Sequence, residues 1–211
     1  ILSSSHCVAK SIKPNPGSLH VCYCHTPMRY IWDQFDQYFG RVKSGLILWG
    51  IMKMLRPWLQ HWDSKTSSRV DDYIANSRHV QKRIMRYYLR EATIIHPPVD
   101  TKRFKPSGEK KKDYFLIVSA FAPYKRVDLA VEAFNKLGYP FDVVGEGQDA
   151  NSLRGMANSN IRFEGWLDDL SLGDHYAGCR AFVFCGEEDF GISLLEAQAM
   201  GRPVIALGRG G

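Results

Sequence analysis

The sequence lacks an apolar run long enough to span a lipid bilayer, although 45% of its 211 residues are hydrophobic. A spanning helix needs about 20 consecutive apolar residues. The nearest stretch, 45–59, is interrupted by Lys53, Arg56 and Pro57. No signal peptide opens the sequence. With 24% charged residues, this composition indicates a globular chain with a hydrophobic core.

Cysteine is sparse, and its pattern is not that of a disulfide framework. There are five cysteines, an odd number, with one close pair. Cys22 and Cys24 alternate along a predicted strand, so we expect both to face one side of it as small buried residues. No second Cys/His pair stands at zinc-binding spacing. The cysteines favour a reducing cytoplasm.

Motifs typical of three other protein classes are also missing. No Gly-x-Gly-x-x-Gly follows a predicted strand, which disfavours a dinucleotide-dependent enzyme. The sequence contains no Asp-x-Asp motif that would indicate a metal ion, and we expect neither a metal nor a cofactor. The formal charge is +6, but the only basic run is Lys110-Lys111-Lys112, which we interpret as a solvated turn. A nucleic-acid partner is therefore not expected.

The stretch 97–112 divides the sequence, because it is rich in proline, lysine and small polar residues. We place one domain at 1–100, a linker at 101–112 and a second domain at 113–211. Both domains are expected to be incomplete, since the chain starts without methionine and stops after a predicted strand. The predicted strands are 19–24, 72–77, 92–96, 114–119, 141–144, 161–163, 181–185 and 203–207, and the predicted helices are 41–62, 79–89, 126–137, 170–177 and 192–200.

Strands and helices alternate regularly in the second half, which indicates an α/β fold with a parallel, doubly wound sheet. Ligands in such sheets bind beyond the carboxyl ends of the strands. We therefore expect the functional residues in the loops that follow strands. In the first half, Ser77 is placed to cap the helix 79–89.

The run from Glu188 to Glu196, Glu-Asp-Phe-Gly-Ile-Ser-Leu-Leu-Glu, links a predicted strand to a predicted helix. A helix start offers unpaired N–H groups and the positive end of the helix dipole, which suit a phosphate. Gly191 lets the backbone approach a ligand closely. The two glutamates would repel a phosphate and suit sugar hydroxyls instead. Alternatively, the two glutamates only interact favourably with the positive end of the helix dipole, but this interpretation explains their spacing poorly.

This run, with Gly-Arg-Pro-Val-Ile at 201–205 behind it, resembles the signature of the glycosyl transferases group 1 family. The resemblance implies the GT-B fold, with two Rossmann-like domains of parallel sheets and the donor between them. It implies a retaining hexosyltransferase, similar to mannosyltransferases of O-antigen and polysaccharide assembly. The donor would be GDP-mannose or another nucleotide sugar, and the acceptor a glycan or a lipid-linked glycan.

The resemblance also implies residue roles. Glu188 would act in catalysis by holding hydroxyls of the donor sugar, and Glu196 would bind the ribose. Backbone groups of one segment would line the sugar and diphosphate pocket, and those of a second would contact the base. The first segment comprises Phe190, Gly191, Ile192 and Ser193, and the second Trp166 and Leu167.

A second motif follows the predicted strand 114–119 and contains Lys125. A lysine there can neutralise a leaving diphosphate, and a surface lysine is the alternative. The family shows Arg-x4-Lys at this place, but the arginine position is Ala120. Arg126 is the candidate substitute for that charge. Ala120 also motivates a second hypothesis, a catalytically inactive nucleotide-sugar-binding or scaffold subunit of the same fold.

His25 ends the predicted strand 19–24 and precedes Thr-Pro. An isolated histidine there is more often a packed residue. The family places a histidine near the reacting carbon of the donor, so the resemblance implies a catalytic role for His25. Arg29, Trp32 and Asp33 follow it and are candidates for the acceptor pocket.

The predicted helix 41–62 is basic and aromatic, with Trp49, Trp58 and Trp62. It either packs on its own domain, which we favour, or binds a membrane surface that carries a lipid-linked acceptor. The expected location is the cytoplasm. The second interpretation places the protein on the inner face of the plasma membrane.

Overall fold

The computed structural model describes residues 1–106 and 112–211, without the side chains of residues 42–44. The chain forms two compact units, one of Ile1–Pro97 with Gly210–Gly211 and one of Pro98–Arg209. Each unit contains one parallel sheet with helices. Residues 107–111 of the expected linker lie outside the described residues, and so does the lysine run except for Lys112.

The sheet of the first unit has the order β1-β2-β3-β4, with parallel neighbours throughout. As predicted, Ser77 caps a helix, since its hydroxyl accepts a hydrogen bond of 3.1 Å from the Val80 N–H. Cys22 and Cys24 both face the core, and the five cysteines, all within the described residues, form no disulfide. The elements are β1 (Leu2–Ser5), β2 (Val21–Cys24), α1 (Phe35–Phe39), α2 (Arg41–Thr66), β3 (Asp72–Ala75), α3 (Arg78–Tyr88) and β4 (Thr93–Ile94).

A buried ion pair holds the first unit together. Nζ of Lys10 lies 3.0 Å from Oδ1 of Asp63 and donates to the Thr66 hydroxyl at 3.1 Å. Oδ2 of Asp63 accepts hydrogen bonds from the Trp32 indole at 2.8 Å and the Tyr88 hydroxyl at 2.9 Å. Removing one member of a buried pair costs about 3–5 kcal/mol. This cluster therefore fixes α2 and α3 against the segment that contains Trp32.

Helix α2 contacts its own unit, which is the interpretation that the sequence favours. Several of its apolar side chains nevertheless face outward, since Ile47 is 82%, Met54 74% and Trp58 65% exposed. The second half of the helix is attached by polar contacts, such as the hydrogen bond of 2.8 Å from Arg56 to the Ile31 carbonyl. Among the described residues, no helix combines the length and the apolarity needed to cross a membrane.

The sheet of the second unit has the order β7-β6-β5-β8-β9 and is parallel throughout. The sequence predicts its strands and three of its helices, with boundaries that differ by one or two residues. The elements are β5 (Phe115–Val118), α4 (Val127–Leu137), β6 (Phe141–Val144), α5 (Ala150–Met156), β7 (Ile161–Gly165), α6 (Asp169–Gly178), β8 (Ala181–Phe184), α7 (Ile192–Ala199) and β9 (Val204–Ala206).

Both faces of the second sheet are covered, which explains why its central strands are continuous apolar runs. Leu116 and Phe182 belong to a core cluster on one face, and Ile117 and Val183 to a cluster on the other. The centre of this sheet is therefore buried. Ligands are left with its edges, and in parallel sheets they use the carboxyl edge.

Candidate active site

The strand order of the second unit reverses at its centre. From β5 the chain moves outward to β6 and β7, and it then returns to place β8 and β9 on the other side of β5. Doubly wound sheets bind ligands in a crevice at the carboxyl edge beside such a reversal. Lys125 lies in the loop that follows β5 and Glu188 in the loop that follows β8.

The structure brings Lys125 and Glu188 into direct contact. The Lys125 ammonium forms an ion pair with Oε1 of Glu188, and their side chains are 17% and 19% exposed. The ammonium also lies 5.3 Å from the ring centroid of Tyr124 and 5.9 Å from that of Phe184. An aromatic face attracts a cation at this distance. Lys125 is therefore a held, half-buried cation rather than a mobile surface lysine.

Gly186 allows the two loops to touch through their backbones. A Cβ atom at this position would lie 2.9 Å from the Lys125 carbonyl oxygen and 3.0 Å from its Cα atom. Both neighbours belong to the backbone and cannot rotate away. This function of Gly186 was not predicted from the sequence, although a glycine directly after a predicted buried strand is the signal for a close backbone approach.

The start of α7 adjoins Glu188. Gly191 precedes the helix with φ 84°, and no side chain caps the helix. Its first N–H groups, at Ile192 and Ser193, lie in the first turn, where an α-helix provides no partner for them. A Cβ atom on Gly191 would lie 2.3 Å from Cδ1 of Leu194 and 3.9 Å from Cβ of Glu188. The φ angle favours glycine here, whereas the Leu194 methyl could move to make room for a side chain.

Glu196 is bonded to the core. Its Oε2 accepts a hydrogen bond of 2.9 Å from the hydroxyl of Tyr176, which is fully buried. Burial first, and the nearby Glu196 carboxylate second, raise the pKa of Tyr176. The phenol therefore remains a donor. One carboxylate oxygen of Glu196 thus already accepts a hydrogen bond from the protein. The binding of a ribose by Glu196 stays a prediction.

The loop after β6 supports the loop after β5 from the other side. A Cβ on Gly145 would lie 2.0 Å from the Ser119 carbonyl oxygen, and one on Gly147 would lie 2.6 Å from that of Phe121. The Phe121 N–H also donates to the Glu146 carbonyl at 2.8 Å. The backbone that leads to Lys125 is therefore held on both sides.

The two residues expected to contact the nucleotide base follow β7. This strand is at the edge of the sheet, and β6 lies between it and β5. Trp166 is 74% exposed, whereas Leu167 packs against the core cluster that contains Tyr176. Phe190, in the loop before α7, is half-buried. The structure places all three in loops after strands, and their contacts with a nucleotide sugar stay predictions.

The Arg126 guanidinium forms an ion pair with Asp128. Arg126 has φ 53° and donates hydrogen bonds of 3.0 to 3.2 Å to both carboxylate oxygens of Asp128. These hydrogen bonds raise the pKa of the Arg126 guanidinium. Ala120 is exposed at the start of the same loop. Ala120 stands where the family has an arginine. For Arg126 to supply that positive charge to a ligand, its guanidinium would have to break its hydrogen bonds with Asp128.

His25 lies at the carboxyl end of β2 in the first unit. Its N–H donates to the Ser5 carbonyl at 2.8 Å, and its Nε2 lies 2.8 Å from the Ser4 hydroxyl. Its ring meets that of Tyr23 edge to face, with centroids 5.2 Å apart. The imidazole is thus held at the strand end, and its catalytic role stays a prediction.

Two of the candidates for the acceptor pocket make structural contacts. Trp32 stacks on Tyr87 with ring centroids 4.5 Å apart. Asp33 forms an ion pair of 2.9 Å with Arg83. The Arg29 carbonyl accepts a hydrogen bond from the backbone of residue 34. These contacts order the segment after His25.

The two parallel α/β units have the GT-B fold. Residues 112–211, just under half of the chain, match the family described as Glycosyl transferases group 1.

Two curated relatives cover most of the chain. It is 28% identical over 172 residues to O-antigen chain mannosyltransferase C of Escherichia coli, covering 74% of this chain and 46% of the relative. It is also 28% identical over 174 residues to D-rhamnosyltransferase WbpZ of Pseudomonas aeruginosa, with coverages of 74% and 45%. The chain thus spans about half the length of these relatives.

Solved structures share the fold at lower sequence identity. Anabaena Alr3699/HepE in complex with UDP-glucose has a TM-score of 0.67 at 17% identity, covering 90% of this chain and 60% of that one. Sucrose-phosphate synthase from Thermosynechococcus elongatus also has a TM-score of 0.67 at 17% identity, with coverages of 90% and 50%. The GT-B fold is thus shared across proteins with little sequence identity.

The close approach at Gly186 leads to the first prediction. Gly186→Ala should lower the thermal unfolding temperature, because overpacking of this kind costs about 1–3 kcal/mol. Gly155→Ala is the matched control, since Gly155 lies in α5 and nothing would lie within 4 Å of its Cβ. That change should be neutral or stabilising by up to about 1 kcal/mol. Equal unfolding temperatures for the two variants would show that the loops do not touch as described.

Proposed function

We propose that the protein containing this chain is a retaining glycosyltransferase, which moves a hexosyl group from a nucleotide sugar to a glycan or lipid-linked acceptor. The observation that carries the proposal is the Lys125–Glu188 ion pair at the reversal of strand order, beside the start of α7. The family match of residues 112–211 supports the same reaction class.

The crevice supplies positive charge where a leaving diphosphate would need it. As the bond from the anomeric carbon to the phosphate oxygen breaks, negative charge grows on the diphosphate. The Lys125 ammonium and the N–H groups of Ile192 and Ser193 would stabilise that charge. Because these groups are already ordered, little reorganisation accompanies the reaction.

Glu188 would have two functions in this scheme. It positions Lys125 through the ion pair, and its carboxylate would accept hydrogen bonds from hydroxyls of the donor sugar. The acceptor oxygen then bonds to the anomeric carbon on the face that the diphosphate leaves, so that configuration is retained. The proton of the acceptor hydroxyl would pass to the departing phosphate. His25 is proposed to orient the sugar.

Mannose is the sugar that we propose, with GDP-mannose as the donor. The two curated relatives are named for mannose and D-rhamnose. D-Rhamnose is 6-deoxymannose, so both sugars have the same configuration at their ring carbons. A pocket that recognises this configuration is the simplest specificity common to both names.

A second candidate function is a catalytically inactive subunit that binds the nucleotide sugar. Ala120 removes one of the two cations that the family motif supplies, and Arg126 is bonded to Asp128. Calorimetry distinguishes the two functions. Heat of binding for GDP-mannose without transfer or hydrolysis by the whole protein would favour the inactive subunit.

The second prediction concerns Lys125. Lys125→Ala should lower kcat by about 100- to 1000-fold, or ~3 kcal/mol, as expected for the loss of one group that stabilises the leaving charge. The assay measures GDP release from GDP-mannose by the whole protein. Lys136→Ala makes the same charge change at the exposed end of α4 and should leave the rate unchanged. Near-normal turnover of Lys125→Ala would remove this residue from the mechanism.

We also propose that α2 binds an anionic membrane surface, where a lipid-linked acceptor would be found. Its exposed face is apolar, and Trp49 lies between two cations, with Arg41 4.1 Å and Lys53 4.7 Å from its ring centroid. Asp63, the one acidic residue in the sequence of α2, is buried. Apolar side chains flanked by cations are the pattern of an interfacial helix.

The third prediction tests that surface by co-sedimentation of the whole protein with vesicles of phosphatidylcholine, with and without phosphatidylglycerol. Replacing Ile47, Met54 and Trp58 together by Glu should abolish sedimentation with the anionic vesicles, because three charges would enter the apolar phase. Salt should weaken binding of the unaltered protein.

The control replaces three exposed leucines elsewhere, Leu89, Leu137 and Leu170, by Glu. This variant should sediment like the unaltered protein. If the α2 variant sediments equally well, or if the unaltered protein binds neither kind of vesicle, α2 is not a membrane-binding element.

A further inference from the structure

A second concave site lies in the second unit, at the edge opposite Lys125 and Glu188. A cavity of about 820 Å³ is lined by residues before β5, by residues before and on β6 and β7, and by residues of α6. Because the strands are parallel, their amino ends form the edge opposite the candidate active site.

Three side chains with metal-ligand chemistry converge at this cavity. They are Asp142 on β6, Glu164 on β7 and His175 on α6, and their ligand atoms all lie within 4.8 Å of one another. Asp142 is opposite Arg162 in the sheet, and Glu164 follows two residues later on the same face. Asp142 is buried, His175 half-buried and Glu164 exposed. Asp142 is thus held in place by its burial, whereas the Glu164 side of the site is open to solvent.

His175 is already oriented as a metal ligand. Its Nδ1 lies 2.8 Å from the Ser171 carbonyl oxygen. A carbonyl only accepts, so Nδ1 carries the proton and Nε2 has the lone pair. Metal-binding histidines typically donate their other N–H to a carbonyl in this way. The hydroxyl of Tyr114 donates to the His175 carbonyl at 2.9 Å and helps to hold this part of α6.

We propose that Asp142, Glu164 and His175 bind a divalent transition-metal ion, with Zn²⁺ the ion that best suits an imidazole and two carboxylates. Ligand atoms at 2.1 Å from a tetrahedral ion are about 3.4 Å apart. The side chains must therefore approach one another by up to about 1.4 Å from the separation in the structure. Water would complete the coordination.

The Arg162 guanidinium would compete with a metal ion for the carboxylate of Asp142. Its Nε donates to Oδ1 of Asp142 at 2.9 Å and its Nη2 to Oδ2 at 3.1 Å. The guanidinium thus neutralises the buried carboxylate when no metal is bound, and a cation at the same carboxylate must compete with it. Removing the Arg162 charge should therefore strengthen metal binding, whereas removing a ligand should weaken it.

The bound ion would cross-link β6, β7 and α6. An ion that binds only the folded state raises the unfolding temperature. This function is structural and does not depend on glycosyl transfer, so the two proposals can fail separately.

The fourth prediction is tested with the whole protein by Co²⁺ absorption and by thermal unfolding with added Zn²⁺. We expect visible Co²⁺ bands and a rise in unfolding temperature. His175→Ala and Glu164→Gln should each weaken Co²⁺ binding at least about 10-fold. Arg162→Gln should tighten it. His61→Ala, on the exposed surface of α2, is the control and should leave binding unchanged.

Several results would overturn the metal site. They are the absence of Co²⁺ bands and of a Zn²⁺-dependent shift, equal effects of His61→Ala and His175→Ala, and weaker binding by Arg162→Gln. A near-ultraviolet cobalt–thiolate band would assign the ion to a cysteine instead. Should His175→Ala not fold, Glu164→Gln carries the test, because that exposed side chain is not needed for the core.

Discussion

The reversal of strand order between β5 and β8 is the constraint on which the candidate site depends. It separates the loops after two adjacent buried strands, and glycine contacts at Gly186 and Gly147 then fix those loops. Lys125 and Glu188 meet because each is attached to one of these loops. An ion pair on an open surface would have little significance, but this pair lies where a doubly wound sheet binds ligands.

Much of the second unit could be predicted from the sequence, because its strands are apolar runs bounded by glycine, proline or charge. The elements that the sequence analysis missed lack such signals. β1 is Leu-Ser-Ser-Ser, in which the serines have little intrinsic preference for a strand. α5 is a helix of only seven residues, and its N-cap residue Asp149 makes no side-chain cap hydrogen bond. Helical spacing in α2 groups its apolar side chains, but it does not reveal what that face contacts.

The candidate site was predictable where a residue and its strand end are adjacent in sequence, as for Lys125 and Glu188. Side-chain partners from other elements were not. Tyr176, which bonds Glu196, lies on a different helix, and the three ligands of the proposed metal site come from two strands and a helix. Arg126 is an exception. Asp128 is only two residues away, so an ion pair between these opposite charges could have been predicted from the sequence.

The central claim is that a nucleotide sugar binds at the crevice between the loops after β5 and β8. Amide hydrogen exchange of the whole protein with and without GDP-mannose tests it most directly. Binding there should slow exchange at 119–126 and at 186–193, and leave exchange at the amino edge of β6 and β7 unchanged. Saturating donor that leaves both segments unprotected, or that protects only other segments, would contradict the account.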